Sequence, residues 1–198
     1  DCKRLTNINV ASDNPNYSSE SGILYDKNKT EIICVPAGIN GNFSIPSSVK
    51  SIRKGAFASC IGLTNVTIPS SVTSIGESAF YNCTSLNTVN IPSGVTAIKD
   101  LSFAKCTNLT NINIHTGITE ISFLAFNECV NLRRIEIPSN VTIIANLAFK
   151  DCKKLDAVVI VPKDVDIDEV GKKNFITKNE YSVAADAFKG CKSVKYTK

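Results

Sequence analysis

The chain has 198 residues, 43% of them hydrophobic, and a net charge of +4 from 22 Lys and Arg set against 18 Asp and Glu. That apolar share can fill a continuous core, while the interspersed charges lack the dense basic stripe of a nucleic-acid binder. No apolar run approaches the ~18 residues that mark a membrane span, so no membrane insertion is expected within this chain.

In chain order, Cys2-Lys3-Arg4-Leu5-Thr6-Asn7-Ile8-Asn9-Val10 follows a C-x-x-L-T-x-I-x-I phrase that recurs around Cys106 and Leu109. A first strand is therefore expected over residues 5–10. Because the chain opens in mid-repeat, it is expected to be a fragment of a longer protein. Residues 11–44 then read as an insert. Gly22-Ile23-Leu24-Tyr25 and the run from Thr30 to Val35 flank the charged turn Asp26-Lys27-Asn28-Lys29, which predicts a β-hairpin.

From Ile45 onward the chain keeps a 23-residue period, with Cys60, Cys83, Cys106, Cys129 and Cys152 in step with Phe57, Phe80, Phe103, Phe126 and Phe149. Leu63, Leu86, Leu109, Leu132 and Leu155 hold the same interval. Several residue types locked to one period mean a stack of similar units, here one elongated domain over 1–198. Within a unit, Val66 and Ile68 alternate with Asn65 and Thr67, the pattern of a half-buried strand. Pro69 cannot donate to a ladder and ends it. Val72 and Ile75 re-enter the core on a second short extended segment. The stretch from Gly76 to Cys83 is too short for a stable helix and predicts a helical or 3₁₀ turn that inserts Phe80 between layers. The expected fold class is thus an α/β repeat, with parallel strands on the concave face and bulkier turns on the convex side. A second irregular insert is expected over 161–187, where the Phe and Cys intervals lengthen to 39 residues.

Catalytic and metal chemistry find little support. Zinc needs ligand pairs such as C-x₂₋₄-C, and the cysteines are evenly spaced instead. Buried free thiols acting as small hydrophobes are the favoured reading, with a bridge involving Cys2 or Cys34 as the alternative. His115 is the only histidine and reads as a surface turn residue. Asp164-Val165-Asp166-Ile167-Asp168 lacks the glycine and the distal glutamate of a calcium loop, and reads as a solvated edge with Val165 and Ile167 inward. No catalytic residue, cofactor or metal is assigned, and the chain is expected not to be an enzyme. The outward strand positions are the candidate site. They form two columns, Asn65, Thr88, Asn111, Arg134 and Ala157 beside Thr67, Asn90, Asn113, Glu136 and Val159. Arg133 adds charge at the fourth repeat.

The phrase I-P-S-x-V-T-x-I-x-x-x-A-F-x-x-C-x-x-L-x-x-V-x-I-P, carried by Ile68-Pro69 through Ile91-Pro92, resembles the BspA-like, or Treponema pallidum-type, leucine-rich repeats. The insert residues Asn14-Pro15-Asn16-Tyr17 and Gly22-Ile23-Leu24-Tyr25 resemble a segment common in the same proteins. Departures are His115 in place of the strand-ending proline and Ser122 for the usual glycine. The resemblance implies a right-handed leucine-rich-repeat solenoid of ~23-residue repeats from a cell-surface or secreted protein. It further implies an adhesin-type module that engages a protein partner, such as an extracellular-matrix or host-cell surface protein. The expected protein-binding residues are Asn65, Thr67, Thr88, Asn90, Asn111, Asn113, Arg133, Arg134 and Glu136. A structural spacer with no ligand of its own is the alternative. The oligomeric state is not assigned.

Overall fold

The computed structural model describes residues 4–162, 175–176 and 182–198. The chain begins with an antiparallel meander of β1 (Tyr17–Glu20), β2 (Ile23–Asp26) and β3 (Glu31–Cys34). The Asp26 carboxylate fastens the β2–β3 turn by accepting from Thr30 N (2.6 Å), Thr30 Oγ1 (2.8 Å) and Glu31 N (2.7 Å). The predicted hairpin is present, but it is not an excursion. β3 lies parallel to the next strand of the stack and so forms the first rung of a side ladder.

The repeats follow as β4 (Asn40–Ser44), β5 (Ser51–Ile52), β6 (Gly62–Thr67) and β7 (Ser74–Ile75). Then come β8 (Thr88–Val89), β9 (Ala97–Ile98), β10 (Asn111–Ile112) and β11 (Glu120–Ile121). The last group is β12 (Arg134–Ile137), β13 (Ile143–Ile144), β14 (Asp156–Ile160), β15 (Phe175–Ile176), β16 (Ser182–Val183) and β17 (Ser193–Thr197). The main strand face runs β4-β6-β8-β10 and then β12-β14-β17, all parallel. The side ladder runs β3-β5-β7 and then β9-β11-β13-β16, also parallel, with β15 antiparallel on β16.

The core is one continuous cluster of periodic columns. Phe57, Phe80, Phe103, Phe126, Phe149 and Phe188 stack face to face with centroids 4.7–5.6 Å apart. The first five are fully buried, each worth about 1.5–3 kcal/mol of transfer free energy. Phe43 closes the row edge-on against Phe57 at 5.6 Å.

Several expectations are corrected. Among the described residues there is no helix, so the turns opposite the strand face are neither helical nor 3₁₀. Each is a run of β-turns (Ala79 N to Gly76 O, Tyr81 N to Ser78 O, Cys83 N to Phe80 O). The intervening amides reach the next coil instead, from Ser78, Phe80 and Asn82 to Asp100, Ser102 and Ala104. The cause is backbone handedness. Ser78 and Asn82 have φ of 53° and 60°, and Leu101, Lys105, Leu124, Glu128, Leu147 and Asp151 repeat this at the same two positions. A residue in the left-handed region reverses the chain and costs roughly 1–2 kcal/mol, which the inter-coil hydrogen bonds offset.

The second correction is at the start, where residues 5–10 form no strand and Leu5 is 42% exposed. Ile8 N instead bonds Gly22 O, and Leu5 O accepts from Gly38 N. The 11–44 insert is also too long as drawn, because β4 pairs β6 in the main ladder.

The third correction is one of register. Arg134 pairs Asp156, not Ala157, and Glu136 pairs Val158. Ala157, Val159 and Val161 are buried at 1–2% exposure, so Ala157 and Val159 do not belong to the outward columns. A one-residue slip sends every side chain to the opposite face of a strand. Most of 161–187, including Asp164 to Asp168, Val165 and Ile167, lies outside the described residues, as does Cys2.

Candidate strand-face site

All nine sequence-predicted residues (Asn65, Thr67, Thr88, Asn90, Asn111, Asn113, Arg133, Arg134 and Glu136) are exposed on the main strand face. Strand alternation puts them there. Val66, Val89, Ile112 and Ile135 between them are at most 5% exposed and anchor each rung to the core. The described rungs are linked along the stack. Asn65 Nδ2 donates to Asn42 Oδ1 (2.8 Å), Thr64 Oγ1 donates to the same oxygen (3.1 Å), and Thr88 Oγ1 donates to Asn65 Oδ1 (3.3 Å).

A further column lies one residue before the predicted one. Thr64, Asn87, Thr110 and Arg133 recur at the 23-residue interval, and Thr110 Oγ1 donates to Asn87 Oδ1 at 3.0 Å. Thr64, Asn87 and Thr110, with Asn65, Ser85, Asn108 and Asn131, line a groove of about 400 Å³. Apart from Arg133, sequence reasoning missed this column because it precedes the alternating segment. Asn42 was missed because its strand was assigned to the insert. The 23-residue spacing from Asn42 to Asn65 was the available signal.

The last rungs are different in kind. Arg133, Arg134, Asp156, Ser193 and Lys195 surround a second groove of about 390 Å³ on β12, β14 and β17. Asp156 accepts from Lys192 Nζ (2.8 Å) and Ser193 Oγ (2.7 Å), and these bonds, Lys192 first, hold its carboxyl below the usual carboxylate range. Arg133 and Arg134 form no ion pair with any described residue.

The other candidates take structural roles. His115 Nε2 lies 3.0 Å from Pro92 O and Nδ1 accepts from Gly117 N at 3.0 Å. The ring thus fixes the turn where other repeats carry proline. Ser122 is buried and its hydroxyl donates to Glu120 Oε1 (2.7 Å). The seven described cysteines are free thiols. They are more than small hydrophobes, because Cys83, Cys106, Cys129, Cys152 and Cys191 each donate to the carbonyl of the Phe one coil before, at 3.1–3.2 Å. Burial pushes the Cys60 thiol up to about 12 and raises Cys83 and Cys106 further, which leaves them unreactive at neutral pH. Among the described residues no three metal-ligating side chains converge.

The BspA type leucine-rich repeat region model matches residues 39–156 in six copies. The chain belongs to this family. The family chain resembles a leucine-rich repeat protein from Eubacterium ventriosum, with 31% identity and a TM-score of 0.76 over 96% of this chain and 53% of that one. It resembles a leucine-rich cell surface protein from Faecalibacterium prausnitzii at 29% identity and a TM-score of 0.66, over 94% of this chain and 41% of the other. A T. pallidum leucine-rich repeat protein shares 26% identity at a TM-score of 0.66, over 87% of this chain and 78% of that one. The chain therefore spans about half the length of the first two structures. No curated protein matches it at a significant level. No helix among the described residues is long and apolar enough to cross a membrane.

Proposed function

We propose that this chain is a binding module of a cell-surface or secreted protein, of adhesin type, which engages a protein partner through its main strand face. The observation that supports this most directly is the contrast between columns. The core columns repeat with little change, while the exposed columns change from Asn and Thr to Arg, Glu and Asp between the two successive sheets of the strand face. Packing restricts the inward positions and leaves the outward ones free to vary, which suits recognition by an extended solenoid face. In a right-handed leucine-rich-repeat solenoid this face lies on the concave side. Surface location is supported by the likeness to the F. prausnitzii cell surface protein.

The test is binding of the purified chain to a broad panel of extracellular-matrix and host-cell surface proteins. We expect a specific interaction that Arg134→Glu and Asn111→Arg each weaken by about tenfold or more, the scale of one well-placed interface residue. Binding to no protein in the panel, or an interaction indifferent to both substitutions, contradicts the proposal and favours a spacer that only holds other domains apart.

A further inference from the structure

The two grooves on the main strand face abut. Arg133 N bonds Thr110 O at 3.4 Å, so the neutral trough and the cationic one meet at this rung. The neutral part presents polar side chains from two successive coils, Ser85 and Asn87, then Asn108 and Thr110, with Thr110 Oγ1 already bonded to Asn87 Oδ1. Coils repeat at the strand spacing of ~4.8 Å, close to the rise of one sugar ring along a polysaccharide. The cationic part adds two guanidinium groups that form no ion pair with a described residue and the Lys195 ammonium, and its one described lining carboxylate, Asp156, is already occupied by Lys192 and Ser193.

We propose that these adjoining grooves bind a sulfated polysaccharide, with its hydroxyls on the Asn and Thr rungs and its sulfates on Arg133, Arg134 and Lys195. One feature favours this ligand over an acidic peptide, and two more say where its affinity comes from. An extended peptide gains most of its affinity by adding main-chain bonds at a sheet edge, whereas this groove lies over the face of β12, β14 and β17, where side chains point outward; the far side of β17 is without a described partner strand. No aromatic side chain lines either groove, so affinity has to come from charge and not from stacking on sugar faces. Planar guanidinium groups match the paired oxygens of a sulfate ester.

The site shares Arg133 and Arg134 with the protein-binding surface proposed above but does not depend on it, and a probe without protein separates the two. The measurement is titration of the chain with a heparin-derived sulfated oligosaccharide, its fully desulfated form and an oligoglutamate. We expect the sulfated probe to bind, with affinity falling roughly tenfold between low and physiological salt. Desulfation, Arg134→Ala and Lys195→Ala should each weaken it about tenfold, the scale of a charge-assisted hydrogen bond. Asn87→Ala should weaken it a few-fold and Lys50→Ala not at all. Arg134, Lys195 and Lys50 are exposed, so their variants should keep the parent melting temperature, while Asn87→Ala also loses the acceptor of Thr110 Oγ1 and should melt slightly lower. No binding of the sulfated probe overturns the proposal, as does binding indifferent to Arg134→Ala and Lys195→Ala. Equal binding of oligoglutamate overturns it in favour of an acidic peptide.

Discussion

The strand face from β6 to β10 and the strand face from β12 to β17 rest on the same core and present different chemistry. In the first, β8 and β10 are two-residue rungs whose outward side chains are neutral Asn and Thr, cross-linked along the stack. In the second, the strands run four to five residues and the outward side chains include Arg134, Glu136, Asp156 and Lys195. The Phe and Cys columns pass beneath both, and the Leu column runs to Leu155 with Val194 in its place on the last coil. Core identity is therefore no guide to what the face does. The repeat supplies the platform, and the variable outward positions supply its specificity.

The largest effect should come from breaking what the two halves share. Phe103→Ala removes a fully buried ring stacked on both sides and should cost about 3–5 kcal/mol in denaturant unfolding. Phe188→Ala, at the half-buried end of the row with a single neighbour, should cost clearly less. An equal cost would mean that the column does not act as a stack.

Alkaline titration probes the same columns. A thiol raised by burial favours the neutral folded form, so its contribution is intact below the unfolded value near 9.0 and is lost as pH rises toward the folded one. Each buried thiol should then remove about 1.4 kcal/mol per pH unit above pH 9. Stability measured from pH 8 to 10.5 should fall steeply, and replacing Cys106 with Ala should make the fall shallower.

Smaller effects distinguish the faces. Asn42→Ala removes the acceptor shared by Thr64 and Asn65, and should cost about 0.5–1.5 kcal/mol. On the charged half, the folded Asp156 carboxyl is lowered by Lys192 and Ser193, so its contribution is complete above the usual carboxylate pKa and is lost as pH falls through the lower folded value. This pair is exposed, so the acid effect should be slight. Asp156→Asn should abolish it without moving the neutral-pH melting temperature much.

The period, the inward Val66 and Ile68, the Phe row and the hairpin turn at Asp26 were all legible in the sequence, because packing and turn chemistry dictate them locally. The register of β14 was not. Leu132 lies six residues before Pro138, but Leu155 lies seven before Pro162, and that added residue flips Ala157 and Val159 inward while the Cys and Leu intervals stay constant. The turns were misread as helical because, apart from Gly55 and Gly190 at the two ends of the stack, their left-handed positions fall on Ser, Asn, Leu, Lys, Glu and Asp and not on the glycine that usually marks such a backbone. The thiol-to-carbonyl bonds join residues 26 apart in the middle coils, and they become visible only once the coils are stacked.

The most direct measurement compares the strand face with the opposite side of the molecule. Two variants, one carrying Asn65→Arg, Asn111→Arg and Arg134→Glu on the face and one carrying Tyr81→Glu and Lys105→Glu on the turns, should be tested against intact host cells and a matrix-protein panel. The face variant should lose binding by tenfold or more while its melting temperature falls only by the loss of the two Asn65 bonds, and the turn variant should bind like the parent. Loss of binding by the turn variant alone would contradict the assignment of recognition to the strand face.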